Sequence, residues 1–158
     1  MALLRLLSSV VLAWFTTLSV ANAHEVLPSI GDMRETDGRV TFEIRANLES
    51  FIAGINLTET ADTNESAQAA TYDDLRALAP EALAAAFTAF WPQMVNGVTL
   101  TADGVPLAPE LTGVRVDAVG DVEVVRPSIF EFSAALPDGA ETVQVGWRPE
   151  FGVLVLRQ

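Results

Sequence analysis

The chain contains a single histidine, His24, and it stands directly after the small-x-small tripeptide Ala21-Asn22-Ala23. That tripeptide has the form of an export cleavage site, so processing would make His24 the first residue of the mature chain. Its α-amino group and ring nitrogen would then be free to chelate a divalent ion such as copper or nickel. Carboxylates nearby, Glu25 first and Asp32 further on, suit the same metals as additional ligands. A copper brace built from two histidines is excluded, because there is no second one.

Other chemistry-bearing patterns are weaker. The segment Asp62-Thr63-Asn64-Glu65-Ser66 places oxygen ligands at alternate positions, as a calcium loop begins, but Ala67 stands where the sharp turn requires glycine and Asp73 where a glutamate is needed. A solvated acidic loop is the better reading. Asn56-Leu57-Thr58 and Asn64-Glu65-Ser66 match the glycosylation acceptor, which matters only in a eukaryotic secretory route. Serine hydrolysis would depend on His24 as its base, and no G-x-S-x-G elbow is present. With no cysteine and no lysine, thiolate catalysis, cysteine metal sites and Schiff-base chemistry drop out. A hydrolase using two carboxylates stays open as an alternative, although no spacing singles out a pair. The expectation is a protein that is not an enzyme and carries no cofactor beyond a divalent metal at His24.

Residues 1–23 read as a signal peptide: Arg5 supplies the positive region and Leu6 to Val20 the apolar one, shorter than a membrane span. Its removal leaves residues 24–158 as one extracytoplasmic domain, periplasmic or extracellular, one unit more negative than the formal −12 of the whole chain. Such acidity repels nucleic acid and anionic lipid, and favours cations, basic partners or simple solubility. An apolar content of 50% is enough for a packed core without disulfides.

The elements that must position these groups are mostly strands. Val40, Phe42, Ile44 and Ala46 alternate with Thr41, Glu43, Arg45 and Asn47, and the turn Thr36-Asp37-Gly38 joins this strand to an earlier one over Glu25 to Met33, with Pro28 tolerated at an edge. The same alternation recurs at Val98–Leu107, Val114–Val116, Val122–Val124, Phe130–Ala134 and Val143–Trp147, with turns at Ala102-Asp103-Gly104 and Leu136-Pro137-Asp138-Gly139. Strands at this spacing predict an antiparallel Ig-like β-sandwich. Residues 58–70 read as an exposed loop. A helical insertion is expected over about 71–92, capped by Thr71, restarted at Pro80 and stopped by Pro92. Leu83, Phe87, Phe90 and Trp91 form its apolar stripe, which covers the sandwich core or, where exposed, offers Phe87, Phe90 and Trp91 to a partner.

The stretch "AHEVLPS", Ala23 to Ser29, resembles the start of the exported domain of HupE/UreJ-like membrane proteins. The likeness extends loosely through "GVTLTADGVPL" (Gly97 to Leu107) and "FEFSAALPDGAETVQVGW" (Phe130 to Trp147). It implies an accessory domain of the hydrogenase and urease accessory type, attached to or working beside a transmembrane bundle. The stretch ending in "FGVLVLRQ" holds no such bundle, which suggests a truncated or separately encoded domain, and the family's membrane histidines have no counterpart here. The function expected is therefore a non-catalytic periplasmic interaction domain, with a periplasmic copper- or nickel-binding protein as the alternative.

Overall fold

The computed structural model describes residues 26–122, 124–126 and 128–158. Among these residues lie two sheets and three α-helices. The larger sheet holds β1 (Ser29–Thr36), β2 (Arg39–Ala46), β5 (Glu110–Val116), β6 (Ser128–Ala135) and β8 (Leu154–Arg157), in the order β5-β6-β2-β1-β8. The smaller holds β3 (Val98–Ala102), β4 (Val105–Pro106) and β7 (Val143–Trp147), in the order β4-β3-β7. Between β2 and β3 come α1 (Leu48–Ala53), α2 (Ala69–Arg76) and α3 (Pro80–Met94). The architecture is mainly β.

Turn chemistry sets the registers. Asp37 and Gly38 both take positive φ, 52° and 70°, which makes a two-residue type I′ turn whose twist matches the flanking strands. Asp103 and Gly104 do the same between β3 and β4. The first turn fixes Thr36 opposite Arg39 and carries the register down to Ile30 opposite Arg45. One consequence is that β1 begins at Ser29 and runs to Thr36, later than the Glu25–Met33 expected. Another is that β1 lies inside the sheet, since β8 pairs with it in parallel, Ile30 opposite Val155. Pro28 is therefore outside the strand rather than on an edge, and the larger sheet is mixed rather than purely antiparallel.

The alternation at Val122–Val124 does not become a strand among the described residues. Both valines are exposed, and the Val124 N–H closes a turn onto the Asp121 carbonyl. The turn through Pro137-Asp138-Gly139 links strands of different sheets, carrying the chain across from β6 to β7.

The core is one cluster. Phe42 and Phe132 are register partners on β2 and β6 and stack with ring centroids 4.8 Å apart. Phe87 of α3 meets Phe130 at 4.9 Å and Trp91 meets Phe132 at 5.6 Å, while Val98 and Leu100 of β3 join from the smaller sheet. The stripe of α3 is thus consumed internally. Phe87 is fully buried, Trp91 is 8% exposed and Phe90 is half-buried against the same cluster. With Phe87 and Trp91 spent on the core, only Phe90 of the three residues expected at a partner surface keeps partial exposure.

The helical boundaries shift as well. Helix α2 starts at Ala69, so Thr71 lies inside it rather than capping it, and α3 continues past Pro92 to Met94. Pro92 has no N–H to give the Thr88 carbonyl. The helix persists because Trp91 and Met94, on either side, are held in the core. Pro80 does occupy the first turn of α3. Phe87→Ala is expected to cost about 3–5 kcal/mol in urea unfolding, against a change within about 0.5 kcal/mol for the exposed neighbour Thr88→Ala.

Candidate ligand cavity

The chain leaving β2 and the chain entering β6 run side by side, because Ala46 pairs with Ser128. Each then delivers a polar residue into the same buried place. Asn47 caps α1, its Oδ1 accepting the Ser50 N–H at 3.1 Å, while the Ser50 hydroxyl donates back to the Asn47 carbonyl at 2.7 Å. With Gly54 at φ 75° ending the helix, α1 is a six-residue turn pinned at both ends. This points Glu49 inward, to meet Arg126 from 77 residues away.

The Arg126 guanidinium donates to Glu49 Oε1 through Nε at 3.1 Å and through Nη2 at 2.9 Å. Its Nη1 donates to the Leu78 carbonyl at 2.8 Å, with Leu75 O a further 3.4 Å contact of Nη2. These carbonyls lie where α2 ends; Leu75 O also accepts the Leu78 N–H at 3.1 Å. One cation therefore joins α1, the exit of α2 and the approach to β6. Both partners are buried, Glu49 to 1% exposure and Arg126 to 7%.

Around this pair the polar groups are incompletely matched. Asn47 Nδ2 donates to the Tyr72 hydroxyl at 2.7 Å, and the Arg76 guanidinium sits 5.2 Å above the Tyr72 ring. Arg76 is buried, yet its Nε and Nη2 have no hydrogen-bond partner; nor have Glu49 Oε2 and Thr63 Oγ1. The cluster holds two guanidiniums, those of Arg76 and Arg126, against the Glu49 carboxylate. Its electrostatic balance is positive within a chain of 21 acidic and nine basic residues.

A cavity of about 210 Å³ opens beside this cluster. Ile30, Arg45 and Asn47 line it from the sheet, and Leu27, Leu57 and Val125 close its apolar sides. Thr63 and Arg126 contribute the polar end. Among the described residues no carboxylate lines it. Arg45 is exposed at the rim and makes no hydrogen bond or ion pair among the described residues. Its charge is felt by Asp32, whose carboxyl is held below the usual range first by a hydrogen bond from Arg157 at 2.6 Å.

The residues singled out from sequence fall elsewhere. His24 and Glu25, the metal candidates, lie outside the described residues. Asp32 lies on the exposed face of β1, paired with Arg157. Glu43 and Glu131 are register partners on the same face and both bind Arg115, at 3.1 Å for Glu43. That guanidinium offsets the repulsion of two like charges directly opposite one another. Among the described residues no group of three or more histidines and acids is arranged to hold a metal ion. The acidic segment at Asp62 serves locally: its Oδ1 accepts the Asn64 N–H at 2.9 Å and caps a single 3-10 turn, which buries Thr63.

Sequence reasoning did not select Asn47, Glu49, Thr63, Tyr72 or Arg126. The available signals were the Asn47 to Gly54 cap pair around a short helix, and an arginine after the apolar Val124-Val125.

Tyr72 is the single tyrosine of the chain, which makes its titration a clean report on the cluster. Burial pushes its hydroxyl above the ordinary value, and the hydrogen bond from Asn47 offsets only part of the rise. The protonated phenol thus contributes stability that is present below the unfolded pKa of about 10 and is lost as pH climbs through the higher folded value. Tyrosinate absorbance at neutral to alkaline pH is expected to rise later in the native protein than in the urea-unfolded chain; coincident curves would show that the hydroxyl is solvated.

No family model, curated protein or solved structure matches this chain.

Proposed function

We propose that this chain is an exported, non-catalytic interaction domain of the periplasm, an Ig-like sandwich with a helical insertion that docks on a HupE/UreJ-like membrane protein. The observation that carries the docking role is the outer edge of the larger sheet. Strand β8 has a neighbour only on its β1 side among the described residues, so a row of backbone N–H and C=O groups faces outward. Apolar side chains gather beside it, with Val153 65% exposed, Leu27 61% and Val155 44%.

Open apolar edges are aggregation hazards unless something covers them, and an added strand is the common cover. A groove beside β8, bounded by Leu57, Gly152, Val153 and Val155, offers room for alternate side chains of such a strand. No helix among the described residues is long and apolar enough to cross a membrane. The resemblance at "AHEVLPS" supplies the nature of the occupant: an extended segment of the membrane protein that such domains precede.

Site-specific photocrosslinking tests this. A crosslinker at Val155, in cells that also make the membrane protein, is expected to yield an adduct identified by mass spectrometry as HupE/UreJ-like. The same crosslinker at Asp138, in the turn after β6, is the control. Equal yields at the two positions, or adducts with unrelated proteins alone, would overturn the assignment.

A further inference from the structure

We propose that the cavity beside Arg126 binds a small monoanionic amphiphile, a short-chain aliphatic carboxylate, with its head at Arg45 and Thr63 and its tail among Ile30, Leu57 and Val125. Size, charge and an unmet hydrogen-bonding group point the same way. At about 210 Å³ the cavity is smaller than the ~300–1,000 Å³ usual for drug-sized ligands. It suits a molecule displacing on the order of seven waters, at roughly 30 Å³ of liquid volume each. Its sides are largely aliphatic, which excludes a sugar or a polyanion as the natural occupant.

The polar end is more specific. Among the described residues two guanidiniums and no carboxylate line the cavity, in a chain with more than twice as many acids as bases. Arg126 is already neutralised by Glu49, and its donors are directed to Oε1 and the Leu78 carbonyl. Arg45 is different: among the described residues it has no hydrogen-bonded counter-ion, and Asp32 nearby is tied to Arg157. An incoming carboxylate would complete that charge with a hydrogen-bonded pair. Thr63 supplies the second determinant. Its hydroxyl is on a residue only 3% exposed, lines the cavity and has no close hydrogen bond, only a weak interaction with the Tyr72 hydroxyl. Buried hydroxyls in that condition are uncommon and are met by water or by a ligand.

The cavity adjoins the groove at the β8 edge and shares Leu27 and Leu57 with it, so the two assignments are told apart at Ile30, Arg45 and Val125, which line the cavity and not the groove. Hexanoate is the probe, followed by methyl resonances of Ile30, Leu57 and Val125 in the full chain, with hexan-1-ol as the uncharged analogue. Hexanoate is expected to shift these methyls and to bind at least tenfold more tightly than hexan-1-ol. Arg45→Gln, at an exposed position where folding should be unaffected, is expected to remove that preference. Thr63→Val should weaken hexanoate several-fold, and Val125→Trp, which fills the cavity, should abolish binding of both probes. The proposal fails if hexanoate leaves the three methyls unshifted at millimolar concentration, if it shifts residues elsewhere instead, or if Arg45→Gln binds it as well as the parent.

Discussion

The Arg126 guanidinium is withdrawn from water with its donors met by the chain itself, and holding those acceptors in place organises this end of the molecule. Its fork spans the Glu49 carboxylate on one side and the Leu78 carbonyl on the other. To satisfy it, the chain after β2 has to turn at once into α1, and α2 has to end where its last carbonyls face the approach to β6. The ion pair is weak evidence for net stability, since desolvation opposes its Coulombic gain. Its consequence is geometric: it ties α1 and the end of α2 to the approach of β6.

The cavity follows from that placement. Helix α1 sends Leu48 and Phe51 into the core, but where it meets α2 the facing side chains, Asn47 and Tyr72 among them, are polar. Helix α3 contributes Phe87, Trp91 and Met94 and seals the inner face against Phe130 and Phe132. At the opposite end the fit is looser. Tyr72, Arg76 and Thr63 retain unmet or partly met polar groups, and the space beside them is bounded by Ile30, Leu57 and Val125. A densely packed aromatic half and a polar, open half share one fold.

How much of this the sequence discloses depends on the range of the interactions involved. Local patterns are legible: the period-2 alternation of Val40 to Ala46, the Asp-Gly turns with positive φ, and the four-residue stripe of α3 each follow from neighbouring residues. Readings that depend on remote partners are not. Val122 and Val124 alternate like a strand, but among the described residues no strand pairs with them. Pro92 marks a helix end by local rules and is overridden by the burial of Trp91 and Met94. Strand β8 is four residues long and gains its identity from pairing in parallel with β1, which no local pattern announces. The site was the least legible part. Glu49 and Arg126 look like ordinary surface charges until the Ala46–Ser128 register brings them together, whereas His24, conspicuous in the sequence, lies outside the described residues.

The claim that the Glu49–Arg126 pair fixes the helical segment is tested most directly by a double-mutant cycle in urea unfolding. Arg126→Met leaves a buried carboxylate without its counter-ion and is expected to lose about 3–5 kcal/mol. Glu49→Leu is expected to lose a similar amount, and the double variant Glu49→Leu/Arg126→Met much less than the sum of the two. Additive losses, or an Arg126→Met variant as stable as the parent, would contradict the account.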